Sequence, residues 1–279
     1  MTFFHCGSYR LSLARPLLMG IVNLTPDSFS GDGLVGNIDR AVERARQQFE
    51  AGSDILDVGA ESSRPGAIPT PEGEELERLI PVLEEITTWG IPVSVDTYKP
   101  SVMRAALAAG ATMINDITGM TDPESISAVA ATNCAVCVMH MQGKPCTMQN
   151  APGYKDVLAE VRDFLAQAVQ RCRQAGIADR RLVLDPGFGF GKTLDHNLTL
   201  FKGLTAVIGN EFPLLVGVSR KSMLGEITDR PVDQRQAASI AAALIAAQKG
   251  ARILRVHDVA ATRDALAVWR AIEQGGIDK

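Results

Sequence analysis

Eight short apolar runs, each stopped by polar residues and followed by a stretch of helical periodicity, constrain this 279-residue chain more than anything else in it. The runs lie at 17–24, 54–60, 92–97, 113–118, 135–141, 182–184, 213–220 and 253–259. A run that is apolar at consecutive rather than alternate positions is a strand buried on both faces, as in a parallel sheet. Between runs the apolar residues recur every three or four positions. Ile38, Ala41, Val42, Ala45 and Phe49 form the first such stripe, and Leu76, Leu79, Ile80, Leu83 and Ile86 the second. Thr70-Pro71 predicts an N-cap followed by proline in the first helical turn, and a later helix starts behind Asp122-Pro123. Glycines at 52, 90, 110, 176 and 250 each stand just before a run, where a helix must stop. Eight strands alternating with helices predict a closed (β/α)8 TIM barrel, one domain over 1–279, with a short hairpin at 3–13 plugging one end. An open doubly wound sheet is the alternative, but no GxGxxG follows the first strand.

The composition excludes several classes. Hydrophobic residues make up 46%, charged residues 22%, and the formal net charge is −4, which offers no basic face to a nucleic acid. No apolar run approaches the roughly 20 residues needed to span a bilayer, so no membrane partner is expected. The first ten residues lack the pattern of a secretory signal, and the cytoplasm is the expected compartment. Five scattered cysteines suggest free thiols. Cys134 and Cys137 spell CxxC, but on a strand positions three apart point to opposite faces, so both read as core.

The polar residues that stop the runs are the informative ones. The stretch LVLDPGFGFGKT at 182–193 places Asp185 at a strand's carboxyl end, above a loop of alternating glycine and phenylalanine. It is not a phosphate loop, because Pro186 occupies the place where that motif needs its first glycine. Strand ends also supply Asn23, Asp57, Asp96, Asn115, His140, Ser219, Lys221, Arg255 and His257. One acid at such a place is usually a cap. A whole ring of them at the mouth of a barrel suits a ligand with an anionic group and several hydrogen-bond donors.

These residues carry a resemblance. The segments MGIVNLTPDSFS at 19–30, ESSRPG at 61–66, SVDTYKP at 94–100, INDI at 114–117 and MHMQGKPCTMQ at 139–149 are similar to those of the dihydropteroate synthase family of pterin-binding enzymes. So are LDPGFGFGK at 184–192, GVSRKS at 217–222 and RVHDV at 255–259. Two departures fall in loops. The family's SFSDGG reads SFSGDG at 28–33, and Ser63 stands where the family has threonine.

The resemblance implies condensation of 6-hydroxymethyl-7,8-dihydropterin pyrophosphate with p-aminobenzoate, using Mg²⁺, in a homodimeric enzyme of folate biosynthesis. Asp185 would take the donor edge of the pterin, because a carboxylate accepts N–H bonds in pairs, and Asn115 and Asp96 would complete the ring's hydrogen bonds. Lys221 would reach the pterin carbonyl side. Arg255 and His257, with a Mg²⁺ held by Asn23, would stabilise the departing oxygens, and Arg64 would add a further anion contact. Phe29, Ser63 and Pro65 would wall the aminobenzoate ring, and Ser222 would bind its carboxylate. The loops at 25–36 and 61–70, poor in apolar residues, are expected to be mobile without ligand. A pterin-dependent corrinoid methyltransferase would share the barrel and the acids but has no pyrophosphate to hold. An amidohydrolase would need an HxH on the first strand, which has no histidine. A non-catalytic pterin binder could keep Asp185 and Asn115 without the loops.

Overall fold

The computed structural model describes residues 2–24, 34–62, 64, 66–209 and 211–274. Strands β1 (Phe3–Cys6) and β2 (Tyr9–Ser12) pair antiparallel around Gly7, whose φ of +61° favours glycine at the turn. The remaining strands are β3 (Leu17–Asn23), β4 (Ile55–Gly59), β5 (Val93–Asp96), β6 (Met113–Asp116), β7 (Ala135–Met139), β8 (Leu182–Asp185), β9 (Leu215–Val216) and β10 (Ile253–Val256). They form an eight-stranded parallel sheet in the order β8-β7-β6-β5-β4-β3-β10-β9. A bridge between Leu184 and Leu214 joins the two edge strands, so the sheet closes on itself. Closure leaves no long unpaired edge.

Between strands run α1 (Leu34–Glu50), α2 (Glu72–Ile86), α3 (Pro100–Ala108), α4 (Pro123–Ala130), α5 (Val157–Gln174), α6 (Leu194–Lys202) and α7 (Leu204–Ile208). After β9 come α8 (Ser222–Thr228) and α9 (Gln236–Gln248), and α10 (Val259–Gln274) follows β10. The glycines at 52, 90, 110, 176 and 250 all have φ between +73° and +98°, which is why helices stop there. Asp122 caps α4 through Glu124 N, as its place before Pro123 predicts.

Strand alternation sorts the apolar residues into two cores. Outward residues such as Val22, Val58, Val95, Ile114, Val136 and Leu184 pack under the helices. Inward residues Met19, Ile55, Met113, Ala135, Val183, Leu215 and Ile253 fill the lumen and meet Phe4 and Cys6 of the hairpin. The hairpin therefore plugs the amino end, and the carboxyl end is left for the ligand. Cys134 and Cys137 fall in the outer and inner cores respectively, and all five cysteines are free.

Two local expectations are corrected. Thr70 makes no cap, because its carbonyl accepts from Lys99 Nζ at 2.6 Å and Pro71 occupies the cap position. The run at 213–220 pairs only over Leu214–Val216, since the chain then turns through Lys221 N→Val218 O and a left-handed Arg220 at φ +59°. The alanine-rich helix after Asp233 is α9, and the shorter α8 precedes it, ending at Asp229, φ +53°.

Candidate active site at the carboxyl end of the barrel

Four of the inward apolar residues of the lumen are followed two positions later by a polar one. Asp57 follows Ile55, Asn115 follows Met113, Asp185 follows Val183 and Arg255 follows Ile253, so all four point into the same lumen one layer higher. Arg255 ties two strands together there. Its Nε donates to Asp57 Oδ2 at 2.6 Å and its Nη2 to Asp96 Oδ2 at 2.8 Å. Burial pushes Asp96 above the ordinary carboxylate range, against the pull of Arg255.

The layer is short of donors. Asp57 Oδ1 and Asn115 Oδ1 are buried with no hydrogen-bond partner among the described residues. Buried acceptors without donors are costly, so such a cluster fits a ligand that brings N–H groups. Asp185 Oδ1 accepts from Gly187 N at 2.7 Å, while Oδ2 takes no bond among the described residues.

The loop after Asp185 packs closely because it is glycine. A Cβ at Gly187 would lie 1.8 Å from His140 O, and one at Gly191 2.4 Å from Gln142 O. Phe188 O accepts from Lys221 Nζ, whose ammonium also sits 4.5 Å from the centre of the Phe190 ring. Burial lowers Lys221 to about 8, and Asp185 pulls it back up. Ile117, Met139, Met148 and Phe190 form an apolar cluster of their own, flanked by Tyr98 and Met141. A flat ring would find acceptors in the lumen and an apolar wall on this side.

His257 lies at the rim with cations around it. Burial lowers its pKa to about 3, helped by Arg255, Arg220 and Arg44 and opposed by Asp258. Ser219 Oγ accepts from His257 N at 3.2 Å and lies 2.9 Å from Nδ1. With a second lone pair and one proton, the hydroxyl either accepts from Nδ1 or donates to it, according to the imidazole tautomer.

The structure thus brings together Asp96, Asn115, Asp185, Lys221, Arg255 and His257. Asn23 ends β3, half-buried, and Ser222 is exposed at the start of α8 beside Lys221. Arg64 is exposed, its N–H donating to Ser62 Oγ at 3.4 Å. Phe29, Ser63 and Pro65, and most of the loop at 25–36, lie outside the described residues. His140 does not join the ring. It stands next to inward Met139 and so points outward, 4.9 Å from the Phe164 ring and with Nδ1 2.9 Å from Lys192 Nζ. The sequence reading also missed Lys192, which is buried and donates to Gly187 O and Phe190 O at 2.8 and 3.1 Å. Its signal was its place at the end of the glycine motif.

A parallel barrel with acceptor-rich lumen, apolar wall and cationic rim at its carboxyl end defines a pterin-binding enzyme, and residues 19–257 match the family model for pterin binding enzymes. The dihydropteroate synthase of Escherichia coli (strain K12) is 48% identical over 262 residues, covering 94% of this chain and 93% of that one. That of Neisseria meningitidis serogroup C is 46% identical over 274 residues, covering 96% and 97%. Among solved structures, Burkholderia cenocepacia dihydropteroate synthase complexed with 7,8-dihydropteroate is similar with a TM-score of 0.90 at 48% identity, covering 98% of this chain and 97% of that one. The Yersinia pestis enzyme in a sulfonamide drug complex has a TM-score of 0.92 at 44% identity, covering 98% and 99%. The chain belongs to the dihydropteroate synthase family.

Proposed function

We propose that the chain condenses 6-hydroxymethyl-7,8-dihydropterin pyrophosphate with p-aminobenzoate, giving 7,8-dihydropteroate and pyrophosphate. The arylamine nitrogen forms a bond to the pterin methylene carbon as that carbon's bond to pyrophosphate oxygen breaks, and the amine gives up one proton. The observation that carries the reading is the set of open acceptors Asp185 Oδ2 and Asn115 Oδ1 beside the apolar cluster of Met139 and Phe190. They suit the donor edge of a pterin, with Asp96 as a further acceptor and Lys221 toward its carbonyl.

Negative charge grows on the leaving oxygens, and the cationic rim is where it is met. Arg255 offers the donors its two aspartates leave unused, and the His257 imidazole stands beside it at the rim. Arg64 stands outside them as a further anion contact. An arylamine is neutral at pH 7, so no strong general base is needed. Phe29, Ser63 and Pro65 are assigned to the aminobenzoate pocket and Ser222 to its carboxylate, on the resemblance of their motifs.

Mg²⁺ fits the donor set as a metal that arrives with pyrophosphate. Among the described residues no group of three His, Cys, Asp or Glu could hold a metal. Mg²⁺ keeps several waters and takes few protein oxygens besides phosphate, which the Asn23 amide at the mouth can supply. When bound it would offset pyrophosphate charge.

A homodimer is supported by apolar side chains left exposed on the last helices, including Ile227, Ile245, Val268 and Ile272. No helix among the described residues is long and apolar enough to cross a membrane. A cytoplasmic location is supported by the free thiols. Incubation with both substrates and Mg²⁺ tests the reaction: dihydropteroate and pyrophosphate should appear in equal amounts. Pterin binding without turnover would mean a binding protein instead.

A further inference from the structure

The loop from β4 to α2 is tied at its neck by one side chain. Lys99 Nζ donates to Glu61 Oε2 at the loop's beginning, to Thr70 O at 2.6 Å at its end, and to Glu75 Oε2 at 2.5 Å in the first turn of α2. The three acceptors match the three donors of an ammonium. Tyr98 OH donates to the other Glu61 oxygen at 2.7 Å, so that carboxylate is held on both sides. Glu75 is 1% exposed, and its Oε1 has no partner among the described residues, so Lys99 is what compensates a buried charge.

The position of Lys99 matters as much as its bonds. It stands three residues beyond Asp96, at the N-cap of α3, on the continuation of the strand that carries a pterin-site acid. The loop it ties carries Arg64 and the positions assigned to the aminobenzoate pocket. Farther along, Gly66 N donates to Pro145 O at 3.1 Å, so the loop also leans on the segment after β7.

We propose that Lys99 is a positioning residue for the second substrate: by closing the neck of the loop at 61–70 it sets where the aminobenzoate pocket lies relative to the pterin. This rests on the reaction proposed above. It differs from a purely structural role in its selectivity. Opening the neck lowers the fraction of protein with the pocket assembled, and apparent affinity falls by that fraction. Only the substrate held by the loop should notice.

The test is steady-state kinetics with each substrate varied in turn. The variant is Lys99→Met combined with Glu75→Gln, so that the most deeply buried carboxylate is not left unpaired, while Glu61 keeps its bond from Tyr98 OH. The KM for p-aminobenzoate should rise about tenfold, as expected if about a tenth of the molecules keep the neck closed. The KM for the pterin pyrophosphate should change less than about twofold. Glu61→Gln, which leaves the buried Lys99–Glu75 pair intact, should shift the same constant in the same direction by a smaller factor, and it serves if the double variant does not fold. Hydrogen exchange of the segment at 61–70 in the free protein should quicken in both variants. An unchanged aminobenzoate KM in a folded variant, or equal rises for both substrates, overturns the proposal. Absence of turnover in the unaltered protein would instead overturn the reaction, and faster exchange at 61–70 would still report the neck.

Discussion

Arg255 and Asp57 meet inside the lumen, Nε 2.6 Å from Oδ2, and the aspartate side chain is fully buried. The pair holds the arginine's planar head against one wall and leaves the rest of its donors toward the mouth. A guanidinium kept in place before the ligand arrives loses less freedom on binding an anion. Asp57→Asn should remove the charge that holds it and leave Asp96 as its one acid partner. Breaking a buried pair by removing one partner costs about 3 kcal/mol or more, so denaturant midpoints should fall accordingly. A variant as stable as the unaltered protein would mean that Asp96 alone suffices.

Asp185→Asn should cripple pterin binding for a reason visible in its surroundings. Gly187 N–H claims one oxygen at 2.7 Å. In an asparagine that N–H would claim the amide oxygen, and the NH₂ group would face the donor edge of the ligand. Loss of charge-assisted bonds and a donor–donor clash should together cost about 2–4 kcal/mol of pterin affinity by calorimetry. Unchanged affinity would remove Asp185 from the site.

These two residues show how far the sequence could be read. Parity along a buried strand puts Asp57, Asn115, Asp185 and Arg255 on the lumen side, because each stands two positions after an inward apolar residue. The same parity would have turned His140 outward, one residue after Met139; the reading lost it by treating every polar residue at a strand end alike. Pairing was beyond reach. Arg255 is 198 residues from Asp57 and 159 from Asp96, and nothing local says that it spends two donors on acids as well as serving an anion. Lys221 follows a turn rather than a ladder, so periodicity could not aim it. Closure of the barrel brings it over Phe190.

Lys221 should give the enzyme an alkaline limit. Its folded pKa, about 8, lies below the value of about 10.4 for an exposed lysine. Below pH 8 the ammonium is charged in both folded and unfolded chains. Between about 8 and 10.4 the folded protein gives up the proton first, so the stability cost of the buried charge is relieved while the charge itself is lost. A profile of kcat/KM against pH should therefore fall above about pH 8, since it reports groups of the free enzyme. Lys221→Arg should lower the plateau and abolish that fall, because arginine stays protonated. If the fall persists, another group sets it, and Lys192, lowered by burial to about 7, is the first candidate.

Sulfonamides carry an arylamine opposite an acidic group, as p-aminobenzoate does, and should compete for the same pocket. If that pocket is built from Phe29, Ser63 and Pro65, its assembly should depend on what occupies the rim. Arg255, His257 and Asn23 are expected to hold pyrophosphate with Mg²⁺. Sulfonamide binding should be weak to the free protein and strengthened by Mg²⁺-pyrophosphate, with a coupling of about 1–3 kcal/mol. The coupling must be reciprocal, so the drug should tighten pyrophosphate by the same factor. Removing Mg²⁺ with a chelator should cancel both effects. Titrations that give one sulfonamide affinity with and without the anion would mean a pocket already formed beside Lys221, to which the loop residues contribute nothing.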